Sequence, residues 1–145
     1  MAEVDRSTKG ALVIDDEPFM LTLVSEMLQE IGYKKIKIAN NGLDGLIFLR
    51  DNASDVDFII LDLEMPKLDG FGTLKSIRQK KFISHNQVPV VILTGHTELS
   101  NLFEMVNLGI HGYLVKPVSR EKLDEAVSRC FNGEPIDPAN FMARI

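Results

Sequence analysis

The feature of this sequence that most constrains its fold is an alternation, repeated five times, of short apolar runs with longer segments of helical periodicity. The first run, Ala11–Ile14, is apolar throughout, which is typical of a central strand buried on both faces. Strands that alternate with helices in this way form a parallel sheet covered by helices on both sides. At 145 residues the chain is long enough for one such domain. We therefore predict a single α/β domain of the (βα)5 type.

The other four strands are predicted from the same kind of run. The second, Lys35–Ile38, alternates polar and apolar residues, as a half-exposed edge strand does. The third, Val56–Leu61, is almost purely apolar. The fourth and fifth are predicted at Val90–Leu93 and Tyr113–Val115. Pro89 is tolerated before the fourth because a missing N–H does little harm at the start of a strand.

Five helices are predicted from apolar residues that recur at intervals of three and four. The first begins near Pro18 and ends at Gly32, Asn41 begins the second, Gly109 closes the fourth, and Ser119 caps the fifth. The predicted buried faces are, in chain order, Met20, Val24, Met27, Leu28 and Ile31; Leu43, Leu46 and Ile47; Phe71, Leu74 and Ile77; Leu99, Leu102, Phe103 and Val106; and Leu123, Ala126, Val127, Cys130 and Phe131.

The two ends of the chain are expected to lie outside this domain, which we place at residues 9–131. Residues 1–8 carry no long apolar segment and are expected to be flexible. Residues 132–145 contain Gly133, Pro135 and Pro138, a composition that favours a tail or a linker.

The overall composition restricts the class of partner. A net charge of −5 disfavours nucleic acid, because phosphate backbones are held mainly by clusters of Lys and Arg. No apolar run approaches the roughly 20 residues that span a bilayer. The single cysteine, Cys130, cannot form an internal disulfide, which favours the cytoplasm. His85, His96 and His111 lack the spacing of metal ligands and are expected to be solvated or to cap helices. We expect a protein partner.

Polar residues gather at the carboxyl ends of the predicted strands, where open parallel sheets bind ligands. Asp15 and Asp16 follow the first strand, Asp62 the third, Thr94 the fourth and Lys116 the fifth. If the first and third strands are neighbours, three carboxylates lie within a few ångströms and raise one another's pKa unless a cation neutralises them. Mg²⁺ suits such a site because it takes a few carboxylates and keeps some of its waters.

The same residues favour phosphoryl transfer. A carboxylate can attack phosphorus and form an acyl phosphate when a metal ion and a lysine neutralise the transferring oxygens. Asp62 is the best-placed nucleophile and Lys116 the best-placed counter-charge. The Thr94 hydroxyl could donate to a phosphoryl oxygen, so that phosphorylation would pull on the loop after the fourth strand.

Four segments, in this order, give the chain a family resemblance. They are VIDDEP around Asp15 and Asp16, LDLEMPKLDG around Asp62, the Thr94-Gly95 step after VVIL, and GYLVKP around Lys116. From about Lys9 to Phe131 the chain resembles the receiver domains of two-component response regulators, which have a flavodoxin-like fold.

The resemblance implies a function and roles for particular residues. Asp62 would accept a phosphoryl group from a sensor histidine kinase or a histidine phosphotransfer protein. The protein would be a signalling switch, and its output surface would be the face of the fourth and fifth helices. The resemblance also implies a strand order of 2-1-3-4-5, a cis peptide before Pro117, a Mg²⁺ site formed by Asp15, Asp16, Asp62 and the backbone carbonyl of Glu64, and Thr94 and Tyr113 as a switch pair. From its position alone, Tyr113 could equally be a half-buried strand aromatic.

The chain departs from the family pattern at Gly95, where the family most often has alanine. Glycine should keep the site accessible and leave the following loop more mobile. Glu64 and His96 occupy positions that influence hydrolysis of the acyl phosphate in similar receivers. We expect them to alter the lifetime of the phosphorylated state.

Three other functions are alternatives to this one. In a flavodoxin-like cofactor protein the first loop would cradle phosphate, whereas Asp15, Asp16 and Glu17 would repel it. In a haloacid-dehalogenase-like phosphatase the nucleophilic aspartate follows the first strand, and here Asp62 follows the third. The most serious alternative is a receiver-like interaction module that works without phosphorylation. The complete set of acidic residues with Thr94 and Lys116 argues against it.

Overall fold

Strands and helices alternate in the predicted order throughout the part of the chain that the computed structural model describes, residues 4–65, 68–79, 83–95 and 100–139. The strands are β1 (Gly10–Ile14), β2 (Lys35–Ala39), β3 (Phe58–Asp62), β4 (Val90–Thr94) and β5 (Gly112–Val115). The helices are α1 (Pro18–Glu30), α2 (Gly42–Asp51), α3 (Gly70–Ile77), α4 (Ser100–Leu108) and α5 (Arg120–Asn132). Short 3-10 helices lie at Arg6–Thr8 and Ala53–Asp55. No helix in these ranges has the length and apolarity needed to cross a membrane.

The five strands form one parallel sheet in the order β2-β1-β3-β4-β5, which confirms the predicted order. β1 pairs with β2 on one side and β3 on the other, so the direction in which successive strands are added to the sheet reverses at β1. A crevice opens at the carboxyl ends of the strands beside such a reversal. Asp62 and Thr94, expected just past their strands, are the last residues of β3 and β4.

The helices cover both faces of the sheet, because alternate residues of each central strand point to opposite sides. Helices α1 and α5 contact each other, as do α2 with α3 and α3 with α4. The buried hydrophobic residues form two clusters, one on each face of the sheet. On the α2, α3 and α4 side lie Leu12, Ile14, Ile59 and Leu61; on the α1 and α5 side lie Ala11, Val13, Phe58 and Ile60.

The buried faces predicted for four of the helices agree with the structure in the residues it describes. Met20, Val24 and Leu28 of α1, Leu74 and Ile77 of α3, Leu102 and Val106 of α4, and Leu123, Ala126, Val127 and Cys130 of α5 are buried. Met27, Ile31, Phe71, Phe103 and Phe131 are partly buried against the same clusters. Leu99 lies outside the described residues. The Asn41 and Ser119 side chains cap α2 and α5, as predicted.

The predicted buried face of α2 was right for Leu46, which packs partly buried against the core, but wrong for Leu43 and Ile47. Leu43 is 59% and Ile47 39% exposed, and the helix buries Gly45 and Leu49 instead. A Cβ atom at Gly45 would lie 2.4 Å from the end of the Ile14 side chain, so the glycine brings α2 close to β1. This close approach turns Leu43 and Ile47 away from the sheet.

The expectation for His111 was also wrong. Its side chain is only 7% exposed, and burial, together with the positive charges of Arg78 and Arg129, lowers its pKa. His111 immediately precedes β5, and its backbone N–H donates to the Val90 carbonyl. His111 is therefore buried at the point where β5 begins to pair with β4.

Described residues that precede β1 and follow α5 contact the domain. Arg6 donates to the Ile31 carbonyl at 2.7 Å and to Asp124 at 2.8 Å, which joins α1 to α5. Beyond α5, the backbone N–H of Ile136 donates to the Ile110 carbonyl at 2.8 Å, and the Ile136 side chain packs on the cluster beside α4. The flexibility of residues 1–8 and the domain limits at 9 and 131 stay predictions.

Candidate functional site

Three carboxylates meet at the carboxyl ends of β1 and β3. Ile14 pairs with Leu61 in the sheet, so Asp15 comes directly beside Asp62. One carboxylate oxygen from each of Asp15, Asp16 and Asp62 lies within 4.8 Å of the others. Asp15 is 1% exposed and Asp62 is fully buried. The pairing of two buried strands thus concentrates negative charge where water screens it poorly.

Lys116 brings a positive charge into this cluster from β5. Its Nζ atom donates to Oδ1 of Asp62 at 2.8 Å and lies 3.7 Å from Oδ2 of Asp15. The Lys116 backbone N–H donates to the Thr94 carbonyl, which fixes the chain just past β5. The peptide bond from Lys116 to Pro117 is cis, as expected. Because β4 separates β5 from β3, a long side chain is needed to reach Asp62.

The charges in the cluster do not balance. Burial raises the pKa of Asp62 to about 6, and the charge of Asp15 adds to this, although the hydrogen bond from Lys116 opposes it. Burial also raises the pKa of Asp15, against a hydrogen bond from the Glu17 backbone N–H at 2.9 Å. Burial alone would lower the pKa of Lys116, but its hydrogen bond to Asp62 and the surrounding carboxylates raise it. The site therefore favours any species that adds positive charge.

The chemistry of the donor atoms fits a divalent cation. Among the described residues, Asp15 Oδ2, Asp16 Oδ1 and Asp62 Oδ2 are buried oxygens with no hydrogen-bond partner. Buried polar atoms are rarely left in this state, and hard cations such as Mg²⁺ take carboxylate oxygens as ligands. The backbone carbonyl of Glu64 as a further ligand stays a prediction.

Gly70, at the start of α3, shapes the loop that follows Asp62. A Cβ atom at this position would lie 2.4 Å from the Asp62 carbonyl oxygen and 2.6 Å from the Leu63 Cα atom. The Gly70 N–H donates to the Leu63 carbonyl at 3.0 Å. The loop therefore folds back onto the end of β3, and glycine is the residue that allows it. This role of Gly70 was not predicted from the sequence, although Gly70 closes the LDLEMPKLDG segment.

Thr94 and Gly95 lie beside the same loop, at the end of β4. Asp62 pairs with Leu93, and the Leu63 N–H donates to the Leu93 carbonyl at 2.8 Å. The Glu64 carboxylate accepts a hydrogen bond from the Gly95 N–H at 3.0 Å and a long one from the Thr94 hydroxyl at 3.5 Å. This contact between Glu64 and Gly95 was not predicted from the sequence. The only signal for it was a glycine in place of the usual alanine.

Two further predicted residues complete the description. Tyr113 lies on β5 opposite Ile92, and its side chain is 38% exposed. Its role as a switch stays a prediction. His96 lies outside the described residues, as do Pro66 and Lys67 of the segment around Asp62.

The topology and the acidic cluster together define a doubly wound α/β protein of the flavodoxin-like class, with its site at the topological reversal. Residues 11–128 match the response regulator receiver domain family. The chain belongs to that family.

Similar proteins agree with this assignment. The chemotaxis protein CheY-3 of Vibrio cholerae serotype O1 is 31% identical over 120 residues, which cover 83% of this chain and 89% of that protein. The structure of V. cholerae chemotaxis protein CheY4 superposes with a TM-score of 0.76 at 29% identity, covering 86% of this chain and 99% of that one. A receiver domain protein from Clostridium thermocellum gives a TM-score of 0.76 at 33% identity, covering 86% and 94%.

Proposed function

We propose that this protein is a magnesium-dependent signalling switch that accepts a phosphoryl group on Asp62. The observation that carries the proposal is the buried Asp62 carboxylate, which accepts from Lys116 at 2.8 Å through Oδ1 while Oδ2 lies unpaired, among the described residues, beside Asp15 and Asp16. One oxygen is thus held by a counter-charge and the other is available to a metal ion or to phosphorus. The donor would be a sensor histidine kinase or a histidine phosphotransfer protein in the cytoplasm.

The transfer is a displacement at phosphorus. A carboxylate oxygen of Asp62 forms a bond to phosphorus while the bond to the donor's imidazole nitrogen breaks, and that nitrogen keeps the electron pair. Asp15, Asp16, Asp62 and the Glu64 carbonyl would hold Mg²⁺, which when bound supplies positive charge to the transferring oxygens. Lys116 orients Asp62 and neutralises charge from the other side.

Phosphorylation of Asp62 would affect nearby residues that lie close to the protein surface. Thr94 is the last residue of β4, next to Asp62, and Gly95 follows it. The Thr94 hydroxyl and the Gly95 N–H would donate to the new phosphoryl oxygens. The chain continues from there toward α4, and Tyr113 and Val115 of β5 are exposed at 38% and 39%. A protein target would bind the surface of α4, β5 and α5. The domain would catalyse only its own phosphorylation and dephosphorylation.

The test is incubation with acetyl phosphate, with and without Mg²⁺, followed by intact mass measurement. The expected result is a gain of one phosphoryl group that requires Mg²⁺ and is absent in Asp62→Asn. Asp55→Asn, which changes an exposed aspartate near the opposite end of β3, is the matched control and should gain the group like the wild type. If the wild-type protein gains no phosphoryl group from any donor, the proposal is wrong and the unphosphorylated interaction module is favoured.

A further inference from the structure

We propose that the Glu64 carboxylate occupies the anion seat of the unphosphorylated site, meaning the Gly95 N–H and the Thr94 hydroxyl, and that an incoming phosphoryl group must displace it. The inference rests on the proposed function of Asp62. It makes Glu64 an internal competitor that sets how readily the site is phosphorylated.

The anion seat lies against the segment that follows Asp62. The pairing of Asp62 with Leu93 and the bond from the Leu63 N–H to the Leu93 carbonyl hold the ends of β3 and β4 side by side. From this position the Glu64 side chain reaches across to accept from the Gly95 N–H at 3.0 Å and from the Thr94 hydroxyl at 3.5 Å. A backbone N–H has a single proton to donate, so a carboxylate and a phosphoryl oxygen compete for it.

The absence of a side chain at position 95 leaves room for the Glu64 carboxylate. A Cβ atom at Gly95 would lie 3.2 Å and 3.3 Å from the two Glu64 carboxylate oxygens. Gly95 does not have a positive φ angle, in contrast to Gly32 and Gly109, so its backbone conformation is open to alanine. The lack of a side chain at position 95 therefore has a steric effect: it leaves room for the Glu64 carboxylate over the Gly95 N–H.

Occupation of the seat can be separated from simple charge repulsion. A carboxylate near the site also repels an anionic phosphodonor, wherever it points. Gly95→Ala keeps that charge but places a Cβ atom against both carboxylate oxygens, which pushes the carboxylate a few tenths of an ångström away from the Gly95 N–H and weakens its hold on the seat. Glu17→Ala removes a different exposed charge that acts electrostatically on Asp15 and Lys116 and leaves the Glu64 contact intact. Seat occupation thus predicts an effect of Gly95→Ala that charge alone does not.

The experiment measures the rate of phosphorylation by acetyl phosphate and Mg²⁺ in the wild type, Glu64→Ala, Gly95→Ala, their double variant and Glu17→Ala. We expect Glu64→Ala to raise the rate about tenfold and Gly95→Ala to raise it by a smaller factor, because alanine weakens the Glu64 contact without removing the carboxylate. The double variant should be no faster than Glu64→Ala, and Glu17→Ala should change the rate much less. A rate for Gly95→Ala equal to that of the wild type, or effects that multiply in the double variant, would overturn the inference.

A second readout does not depend on phosphorylation. The chain has ten glycines, so a spectrum of protein labelled with ¹⁵N-glycine resolves the Gly95 amide. In the unphosphorylated protein, Glu64→Ala should shift the resonance of this amide strongly, and Glu17→Ala should not. An unmoved Gly95 amide in Glu64→Ala overturns the inference.

Failure of the proposed function has a different signature, because no variant then gains a phosphoryl group. In that case the protein is titrated with beryllofluoride and Mg²⁺ while the Gly95 amide resonance is followed. Half-saturation at a lower beryllofluoride concentration in Glu64→Ala than in the wild type supports occupation of the seat by Glu64. Equal half-saturation concentrations overturn the inference.

Discussion

Lys116 is the residue on which the charge balance of the site depends. It donates to the fully buried Asp62 at 2.8 Å and lies 3.7 Å from Asp15, while its own side chain is 18% exposed. Removing one member of a buried ion pair leaves the other without compensation, and the unpaired charge costs more than the pair contributed. The stability of the protein is therefore expected to respond to Lys116 even in the absence of any phosphodonor.

Lys116→Met tests this. Without Mg²⁺, we expect the variant to lose about 2 kcal/mol of unfolding free energy at neutral pH, because Asp62 loses its counter-charge. The second change in Lys116→Met/Asp62→Asn should recover much of this loss, since it removes the stranded carboxylate. Lys122→Met, at an exposed position on α5, is the control and should change little. Urea denaturation gives the four free energies; equal losses in the single and double variants would contradict the explanation.

At the same scale, the residues of the site were predictable to different extents. Asp15, Asp16 and Lys116 were found because each follows an apolar run, and the carboxyl ends of parallel strands meet at one edge. The contact of Glu64 with Gly95 was not predicted, because the direction of an exposed glutamate side chain depends on which hydrogen-bond donors the fold brings near it. Burial of His111 was missed for a related reason: its neighbours belong to distant parts of the chain.

At the scale of the elements, strands were easier to predict than helix faces. A strand buried on both sides is a continuous apolar run, so β1, β3 and β4 are visible in the sequence to within about two residues. The buried face of α2 is set by something the apolar pattern does not contain. Gly45 approaches Ile14 so closely that its face, and not that of Leu43 and Ile47, packs on the sheet.

Two leucines on α2 provide a matched comparison. Leu49 is fully buried and Leu43 is 59% exposed, and replacing either with alanine changes the helix propensity by the same amount. We expect Leu49→Ala to cost about 3 kcal/mol of unfolding free energy, through lost burial and the cavity left behind. Leu43→Ala should cost less than about 0.5 kcal/mol. Chemical denaturation measures both; similar costs would mean that Leu43 is as deeply buried as Leu49, contrary to the structure.

In the whole molecule, the sheet brings residues from distant parts of the chain together to form the site. Asp15 and Lys116 are far apart in the chain, and the order β2-β1-β3-β4-β5 brings both to Asp62. The alternation of runs predicts a parallel sheet, but the order of its strands followed from the family resemblance. Local periodicity does not contain the order, because it depends on which crossover each helix makes.

The fold holds the carboxylates of Asp15, Asp16 and Asp62 close together, and they repel one another in the metal-free protein. Binding of Mg²⁺ should therefore stabilise the entire fold. A ligand that binds only the folded state adds about 2.7 kcal/mol when its concentration is 100 times its Kd. We expect Mg²⁺ to raise the melting temperature of the wild type and to have a much smaller effect on Asp16→Asn. Asp44→Asn, which changes an exposed aspartate on α2, should keep the full effect. Thermal unfolding followed by circular dichroism measures the shift.

The stabilisation by Mg²⁺ should also depend on pH in a definite direction. Folding raises the pKa of Asp62 from about 4 to about 6, so between these values the metal-free folded state binds more protons than the unfolded state. The stability that Asp62 contributes is therefore present below about pH 4 and is lost as the pH rises through 6. Mg²⁺ must displace this proton, so its effect on melting temperature should be small near pH 5 and large near pH 7.5. A shift independent of pH over this range would show that Asp62 is already ionised at pH 5, and that Lys116 outweighs burial in setting its pKa.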